Sequence, residues 1–268
     1  MGALIGIVIA AAALCCIYFF MTSTKASENA GWMKEYRYAH RGLHNERMPE
    51  NSLEAFQNAI DHGYAIELDV HLSKDGHVMV FHDDTLARVT GESGKIEDYT
   101  LAELKRMRLA GTQCTIPTLR EALALVDGRM PLLIETKNTG GAGQLEVSLY
   151  QIMREYRGKY ALQSFSPFSM RWFKSNAPEV LRGQLSATFS YGAEEIPKWK
   201  RSMLKHLCTN FVCRPHFISY EMEGYCLPVV QRMRKNGLPL LIWTVRSEEN
   251  KERILKNADA VIFENFNA

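Results

Sequence analysis

Eight short runs rich in Val, Ile, Leu and aromatic residues recur between longer amphipathic stretches from Trp32 onward. That alternation is the mark of repeated strand–helix units, in which each helix returns the chain to start a parallel neighbouring strand. The runs are residues 36–42, 65–70, 131–137, 160–165, 181–186, 211–217, 239–245 and 260–265. Helical patterns fill the gaps at 51–63, 143–156, 168–176, 194–207, 227–237 and 247–257. In the first of these, Asn51 and Glu54 have the spacing of a capping box, Leu53, Phe56 and Ile60 share a face, and Gly63 is a stop. Eight such units over roughly 240 residues predict an α/β fold, a closed (β/α)8 TIM barrel, whose usual size is about 250 residues. A doubly wound open sheet is the alternative.

The second run sets a problem for any bland reading. Alternate residues of a strand face opposite ways, so Ala65, Glu67, Asp69 and His71 share one side and Ile66, Leu68, Val70 and Leu72 the other. One side is fully apolar, and the opposite one carries two carboxylates and an imidazole. Residues 76–83, "GHVMVFHD", resemble a further strand but follow after about four residues, where a parallel neighbour needs a crossover of about a dozen. They must double back as a hairpin turning at Lys74, Asp75 and Gly76. This small hairpin insertion after strand two carries His82 back toward Glu67 and Asp69.

Barrel active sites lie at the carboxyl ends of the strands. Strand one ends in His40 and Arg41, strand two brings Glu67 and Asp69, and strand three ends in Glu135 and Lys137. Three carboxylates at one mouth repel each other unless a cation sits among them, since unpaired buried charge is very costly. Oxygen-only ligands point to one hard divalent cation, Mg²⁺ or Ca²⁺, in preference to zinc. One dication against three carboxylates, with Arg41 and Lys137 added, suits a singly charged anion such as a phosphodiester.

Composition bounds the rest. The chain has 268 residues, 46% hydrophobic and 23% charged, with a formal net charge of +2. That is ordinary for a globular domain with a real core, and without a Lys/Arg block it argues against a nucleic-acid partner. Ala3 to Met21 runs without a charge and is long enough to span a bilayer as a helix. We read residues 1–24 as a single-pass transmembrane anchor, 25–31 as a linker and 32–268 as the catalytic barrel. A cleaved signal peptide is the rival, though the basic stretch that usually precedes the apolar run is absent. Lys25, Lys34, Arg37 and Arg41 follow the span and lean toward a cytoplasmic domain, but the last two belong to the barrel and leave the side open. The six cysteines form no CxxC pair and read as reduced or packed thiols.

Several segments carry a resemblance. "AHRGLHNERMPENSLEAF", "ELDVHLSKDGHVMVFHD", "TLARVTGESG", "IPTLREAL" and "LLIETK" resemble the successive motifs of the glycerophosphodiester phosphodiesterase family, and "IWTV" resembles its late strand. The likeness runs over nearly all of residues 37–268 and is densest from 39 to 137. It implies a barrel hydrolase that uses a divalent ion to cleave glycerophosphodiesters into glycerol 3-phosphate and an alcohol. Motif by motif, it implies His40 and His82 as the acid/base pair and Glu67, Asp69 and Glu135 as metal ligands. Arg41 and Lys137 would contact phosphate, with Glu50 of "PENS" as a supporting carboxylate. The late part departs from the family: "WTVR" and "FEN" stand where "WTVN" and "TD" are usual, which affects Arg246 and Glu264.

For Glu67 and Asp69 the bland alternative is a solvated edge strand, which Glu135, His40 and His82 in register argue against. His71 reads as a rim or supporting residue. His44, His62, His77, His206 and His216 read as exposed or packed. Trp243 is either core or a stacking platform for the alcohol, and we count it with the substrate contacts. Trp172 and Phe173 read as helix packing, and Asn51 as a cap. Two functional alternatives remain: a lysophospholipase D fed by lysophospholipids at the membrane, and a non-catalytic phosphate or headgroup binder, for which two imidazoles would be superfluous.

Overall fold

The computed structural model describes residues 2–138, 142–190 and 196–268. Its strands are β1 (Tyr38–Ala39), β2 (Ala65–Leu72), β3 (Val78–Val80), β4 (Leu132–Thr136), β5 (Tyr160–Ser164), β6 (Arg182–Ser186), β7 (Phe217–Glu221), β8 (Leu240–Val245) and β9 (Ala260–Phe263). All but β3 are parallel, and β1 pairs with both β2 and β9, which closes the eight into a barrel. The expected alternation in β2 holds: Ile66, Leu68 and Val70 pack against the surrounding helices, while Ala65 joins the interior.

β3 runs antiparallel to β2, with Val70 opposite Val80 and Leu72 opposite Val78, as the short connection requires. The hairpin turns through Gly76 at φ 86°, and the Ser73 amide donates to the His77 carbonyl at 2.8 Å. It opens a larger excursion than the sequence suggests. Residues 73–117 carry short helices at Ala87–Thr90 and Leu101–Leu104 around their own apolar cluster of Met79, Phe81, Leu86, Val89, Ile96, Leu104, Leu109, Cys114 and Ile116.

The sixth expected strand, at 211–217, is displaced and appears as β7. Asn210–Cys213 form a helical turn instead, and the strand is Phe217–Glu221. The turn is held by Arg182, whose buried side chain donates to the carbonyls of Cys213 at 2.8 Å and Arg214 at 3.1 Å. The true strand was inconspicuous because it turns Ser219 inward, where the hydroxyl donates to Gln163 Oε1 at 2.6 Å.

The barrel's amino-terminal end is shut by apolar side chains. Met33 and Ala30, on the 3-10 helix Glu28–Lys34, pack under Tyr38, Leu133, Ala161, Phe217, Leu241 and Ala260, and the Tyr38 hydroxyl donates to the Met33 carbonyl at 3.0 Å. Before this plug, Gly2–Met21 form one apolar helix, long enough to cross a bilayer or to serve as a signal sequence, whose side chains from Leu4 to Ile17 are exposed.

Interior packing at β6 allows no side chain at Gly183, where an added Cβ would lie 2.2 Å from the buried Phe217 ring. Gly183→Ala is expected to lower unfolding free energy by about 1–3 kcal/mol, read from urea unfolding. Phe217→Leu, destabilising on its own, should recover part of that loss in the double variant; strict additivity would contradict the clash.

Candidate active site

The site is built on β2. Glu67, Asp69 and Glu135 each present an oxygen within 4.8 Å of the others, and all three are buried. Register explains the meeting, because Asp69 sits directly opposite Glu135 on the neighbouring strand β4. Burial and the charges of Asp69 and Glu135 push the Glu67 carboxyl well above the carboxylate range. Burial with Asp69 also outweighs Lys137 at Glu135, whose carboxyl is pushed up to about 7. Burial alone would raise Asp69 too, yet Lys137, His82, Arg41 and Asn51 hold it below the usual range.

Two cations share this cluster. Lys137 Nζ lies 2.6 Å from Glu135 Oε1 and 3.1 Å from Asp69 Oδ1, and the two carboxylates hold its ammonium above the ordinary lysine value despite burial. The approach to Asp69 is not aligned as a hydrogen bond, so Oδ1 is a buried oxygen without a donor among the described residues. Arg41 reaches Glu50 at 2.7 Å with Nη1 and lies 3.7 Å from Asp69 with Nε. Its backbone amide donates to Glu67 at 3.1 Å. That amide is aimed by a left-handed turn, with Arg41 at φ 56° and Gly42 at φ 81°. A Cβ on Gly42 would lie 2.9 Å from Ala55 and Phe56, so the glycine after "HR" is what lets the turn sit against the helix Leu53–Asp61.

That helix corrects one expectation. Ser52 is the cap, accepting from the Ala55 amide at 3.1 Å. Asn51 is freed from capping by its left-handed backbone and donates from Nδ2 to Asp69 Oδ2 at 2.9 Å. Asn and Asp both tolerate such a conformation, which is why the sequence permits the substitution of roles.

Both imidazoles are tied to carboxylates through Nδ1. His40 meets Glu264 Oε2 at 2.6 Å, and His82 meets Asp83 Oδ1 at 2.6 Å. An ionised carboxylate only accepts, so Nδ1 carries the proton in each ring and Nε2 is left for chemistry. Burial lowers both His pKa values; Glu264 opposes this at His40, and Asp69 opposes it at His82. Burial raises Glu264 less than His40, His44 and Arg246 lower it, and its carboxyl is held far below the usual range. His82 is positioned by its neighbours in the chain: the Phe81 amide donates to the Asp69 carbonyl at 3.0 Å, and His71 Nε2 donates to the His82 carbonyl at 3.1 Å.

Asp83 and Arg88 are not singled out in the sequence reading, and Glu264 enters it only as a departure from the family motif. Asp83 orients His82; Arg88 bridges Asp83 at 2.6 Å and Glu50 at 2.7 Å; Glu264 orients His40 and accepts from Arg246 at 2.7 Å. Arg88 lies within "TLARVTGESG", one of the segments that carry the family resemblance. His44, expected to be bland, lines the mouth and lies 3.9 Å from Glu264. His62, His77, His206 and His216 lie outside it, and Phe173 is buried beside Trp172 in helix packing.

The mouth is one cavity of about 490 Å³ at the carboxyl ends of the strands, with Asp69 and Asp83 behind its lining. Its polar side carries His40, Arg41, Glu67, His82, Glu135 and Lys137; its apolar side carries Phe165, Leu185 and Trp243. Phe165 and Trp243 meet edge to face at 5.7 Å, and the indole nitrogen is buried without an acceptor among the described residues.

Such a mouth has counterparts among known proteins. A protein of Caldanaerobacter subterraneus subsp. tengcongensis called glycerophosphodiester phosphodiesterase is 31% identical over 245 residues, 86% of this chain and 94% of its own. An Oleispira antarctica phosphodiesterase, solved with the product sn-glycerol-3-phosphate, is 28% identical with a TM-score of 0.72, covering 85% of this chain and 92% of its own. A Thermotoga maritima glycerophosphodiester phosphodiesterase is also 28% identical, with a TM-score of 0.67 and coverage of 85% and 93%. The model of the glycerophosphoryl diester phosphodiesterase family matches residues 40–267, from the first mouth histidine almost to the last residue. Barrel, mouth and sequence therefore agree, and the chain belongs to the glycerophosphoryl diester phosphodiesterase family, a family of phosphoric diester hydrolases.

Proposed function

We propose that this chain hydrolyses glycerophosphodiesters to glycerol 3-phosphate and an alcohol, with His40 and His82 as the proton-transfer pair. The observation that carries the reading is the pairing of two carboxylate-tied imidazoles with a buried three-carboxylate cluster in one cavity. The donor set fits a hard divalent cation. Two buried carboxyls raised by burial and like charge, beside an Asp69 whose Oδ1 meets Lys137 only as an unaligned ion pair, call for more positive charge than Lys137 and Arg41 bring. Glu67, Asp69 and Glu135 would hold Mg²⁺ or Ca²⁺, which when bound supplies Lewis-acid polarisation of a phosphoryl oxygen.

The protein's own groups do the rest. Arg41 and Lys137 attract the phosphodiester and offset charge that grows on its oxygens in the pentacoordinate transition state. One neutral imidazole takes the nucleophile's proton at Nε2, and Nδ1–H, held by a carboxylate, stabilises the imidazolium that results. The other imidazole, entering protonated, gives its Nε2 proton to the leaving alkoxide. Glu264 and Asp83 fix which nitrogen faces the cavity, and Arg88 ties Asp83 to Glu50. The apolar wall of Phe165, Leu185 and Trp243 faces the alcohol portion and favours a second reading, in which that alcohol belongs to a lysophospholipid.

His40→Ala and His82→Ala should each lower kcat for glycerol 3-phosphate release from glycerophosphocholine by about 10²–10⁴-fold with the fold intact by circular dichroism; full activity in both ends the reading. Calorimetric titration with Mg²⁺ or Ca²⁺ should show one site, absent in Glu67→Gln and weakened roughly tenfold in Asn51→Ala, which removes the Asp69 donor. Trp243→Ala should raise KM roughly twofold to tenfold with kcat little changed, and more for lysophosphatidylcholine than for glycerophosphocholine if the wall takes lipid.

A further inference from the structure

The apolar helix joins the barrel at the end opposite the mouth. Its last turn packs on segments that precede a strand or end a helix, which places it at the strands' amino-terminal side. Phe20 meets Phe211 at 5.8 Å, beside the turn Asn210–Cys213, and the Lys25 amide donates to the Pro215 carbonyl at 3.2 Å, just ahead of β7. Arg214 lies over the Phe20 ring at 5.1 Å, and Arg232, near the end of the helix Pro228–Lys235, lies over Phe19 at 4.6 Å and Tyr18 at 5.1 Å. Arg232 also donates to the buried Thr22 hydroxyl. The join is thus fixed by side chains as well as by the chain itself.

The same end is basic and unneutralised. Lys25, Lys205, Arg214, Arg232 and Lys235 have no ion-pair partner among the described residues; nearby Arg234 is taken by Asp259 at 3.0 Å. The arginines and the lysine that line the cavity, Arg41, Lys137, Arg88 and Arg246, are by contrast all paired with carboxylates. Aromatic rings beneath guanidinium groups at the end of an apolar span match the chemistry of a bilayer interface, where rings sit at headgroup depth and cations meet lipid phosphates.

We propose that the closed base of the barrel, around Lys25, Lys205, Arg214, Arg232 and Lys235, rests on an anionic lipid surface, with the catalytic mouth facing away from that bilayer. The strands put roughly 20 Å between the two ends, beyond the Debye length of about 8 Å at physiological ionic strength and beyond the reach of a lipid headgroup still seated in the bilayer. The substrate therefore enters from water, as a deacylated diester or a monomeric lysolipid. That last step rests on the phosphodiesterase reading; the placement of the base does not.

The test reads distance, without activity, in the full-length chain reconstituted into nanodiscs of equal parts phosphatidylglycerol and phosphatidylcholine. A fluorophore on Lys235→Cys at the base or Glu46→Cys in the mouth loop, with Cys15, Cys16, Cys208 and Cys226 replaced by Ala, is exposed to lipids carrying a headgroup nitroxide. Quenching at 235 should exceed that at 46 by about threefold or more, and should fall when phosphatidylglycerol is omitted. Equal quenching at the two positions, or more at 46, overturns the orientation; no dependence on phosphatidylglycerol overturns the electrostatic part. In the unaltered chain, phosphatidylglycerol with a photoreactive headgroup should crosslink to residues 205–215 and 232–237, and crosslinks confined to 43–48 would overturn the proposal without any substitution. An inactive protein that passes these tests would refute the phosphodiesterase reading and leave the orientation standing.

Discussion

Three carboxylates held inside one barrel mouth are the constraint from which most of the local structure follows. Left alone they would repel and take up protons, as the raised Glu67 and Glu135 carboxyls indicate. The surrounding protein concentrates its donors on one of the three. Asp69 receives Asn51, faces Lys137 and Arg41, and stays ionised, while its neighbours carry the electrostatic cost. The cluster is thereby divided into one carboxylate held ionised and two whose carboxyls are pushed up. The left-handed residues nearby make sense in the same terms. Arg41, Gly42 and Asn51 adopt a conformation most residues avoid because only that path aims a backbone amide at Glu67 and a side-chain amide at Asp69.

The excursion after β2 does for His82 what the turn after β1 does for His40. Its apolar cluster holds Phe81, and the Phe81 amide is pinned to the Asp69 carbonyl, so the imidazole is delivered next to the residue that anchors the carboxylates. Arg88 then returns from the excursion to Glu50, which also holds Arg41. Two loops distant in sequence are joined across the mouth by one guanidinium. Arg88 is half exposed, so its worth lies less in stability than in fixing where Asp83 and Glu50 point.

What could be read from the residues was what depends on period and on strand ends. The eight-strand alternation, the polar face of β2 and the hairpin at Gly76 all follow from spacing, and they sufficed to bring His40, Glu67, Asp69, His82, Glu135 and Lys137 to one mouth. The misreadings have a common cause, which is that a side chain's partner is a matter of tertiary placement. Asn51 has the sequence spacing of a cap, but Ser52 beside it takes that role once the backbone turns left-handed. The "FVC" run is as apolar as a strand, yet a helical turn held by Arg182 is the better solution there, while the real strand hides behind the interior Ser219. Glu264 stood out only as a departure from the familiar motif; the fold places it against His40 because β9 closes the barrel on β1.

Closure at one end is what allows openness at the other. Met33, Ala30, Phe217 and Tyr38 fill the base with apolar surface, and the Tyr38 hydroxyl there is satisfied by the Met33 carbonyl. The carboxyl ends can then tolerate what would unfold a smaller core, namely buried acids, strained turns and a cavity lined by charge. The plug that seals the base follows the apolar helix in the chain, and the helix's last turn packs on the same end of the barrel. Whatever holds that helix consequently acts on the closed end, and the histidines of the mouth are separated from it by the depth of the core.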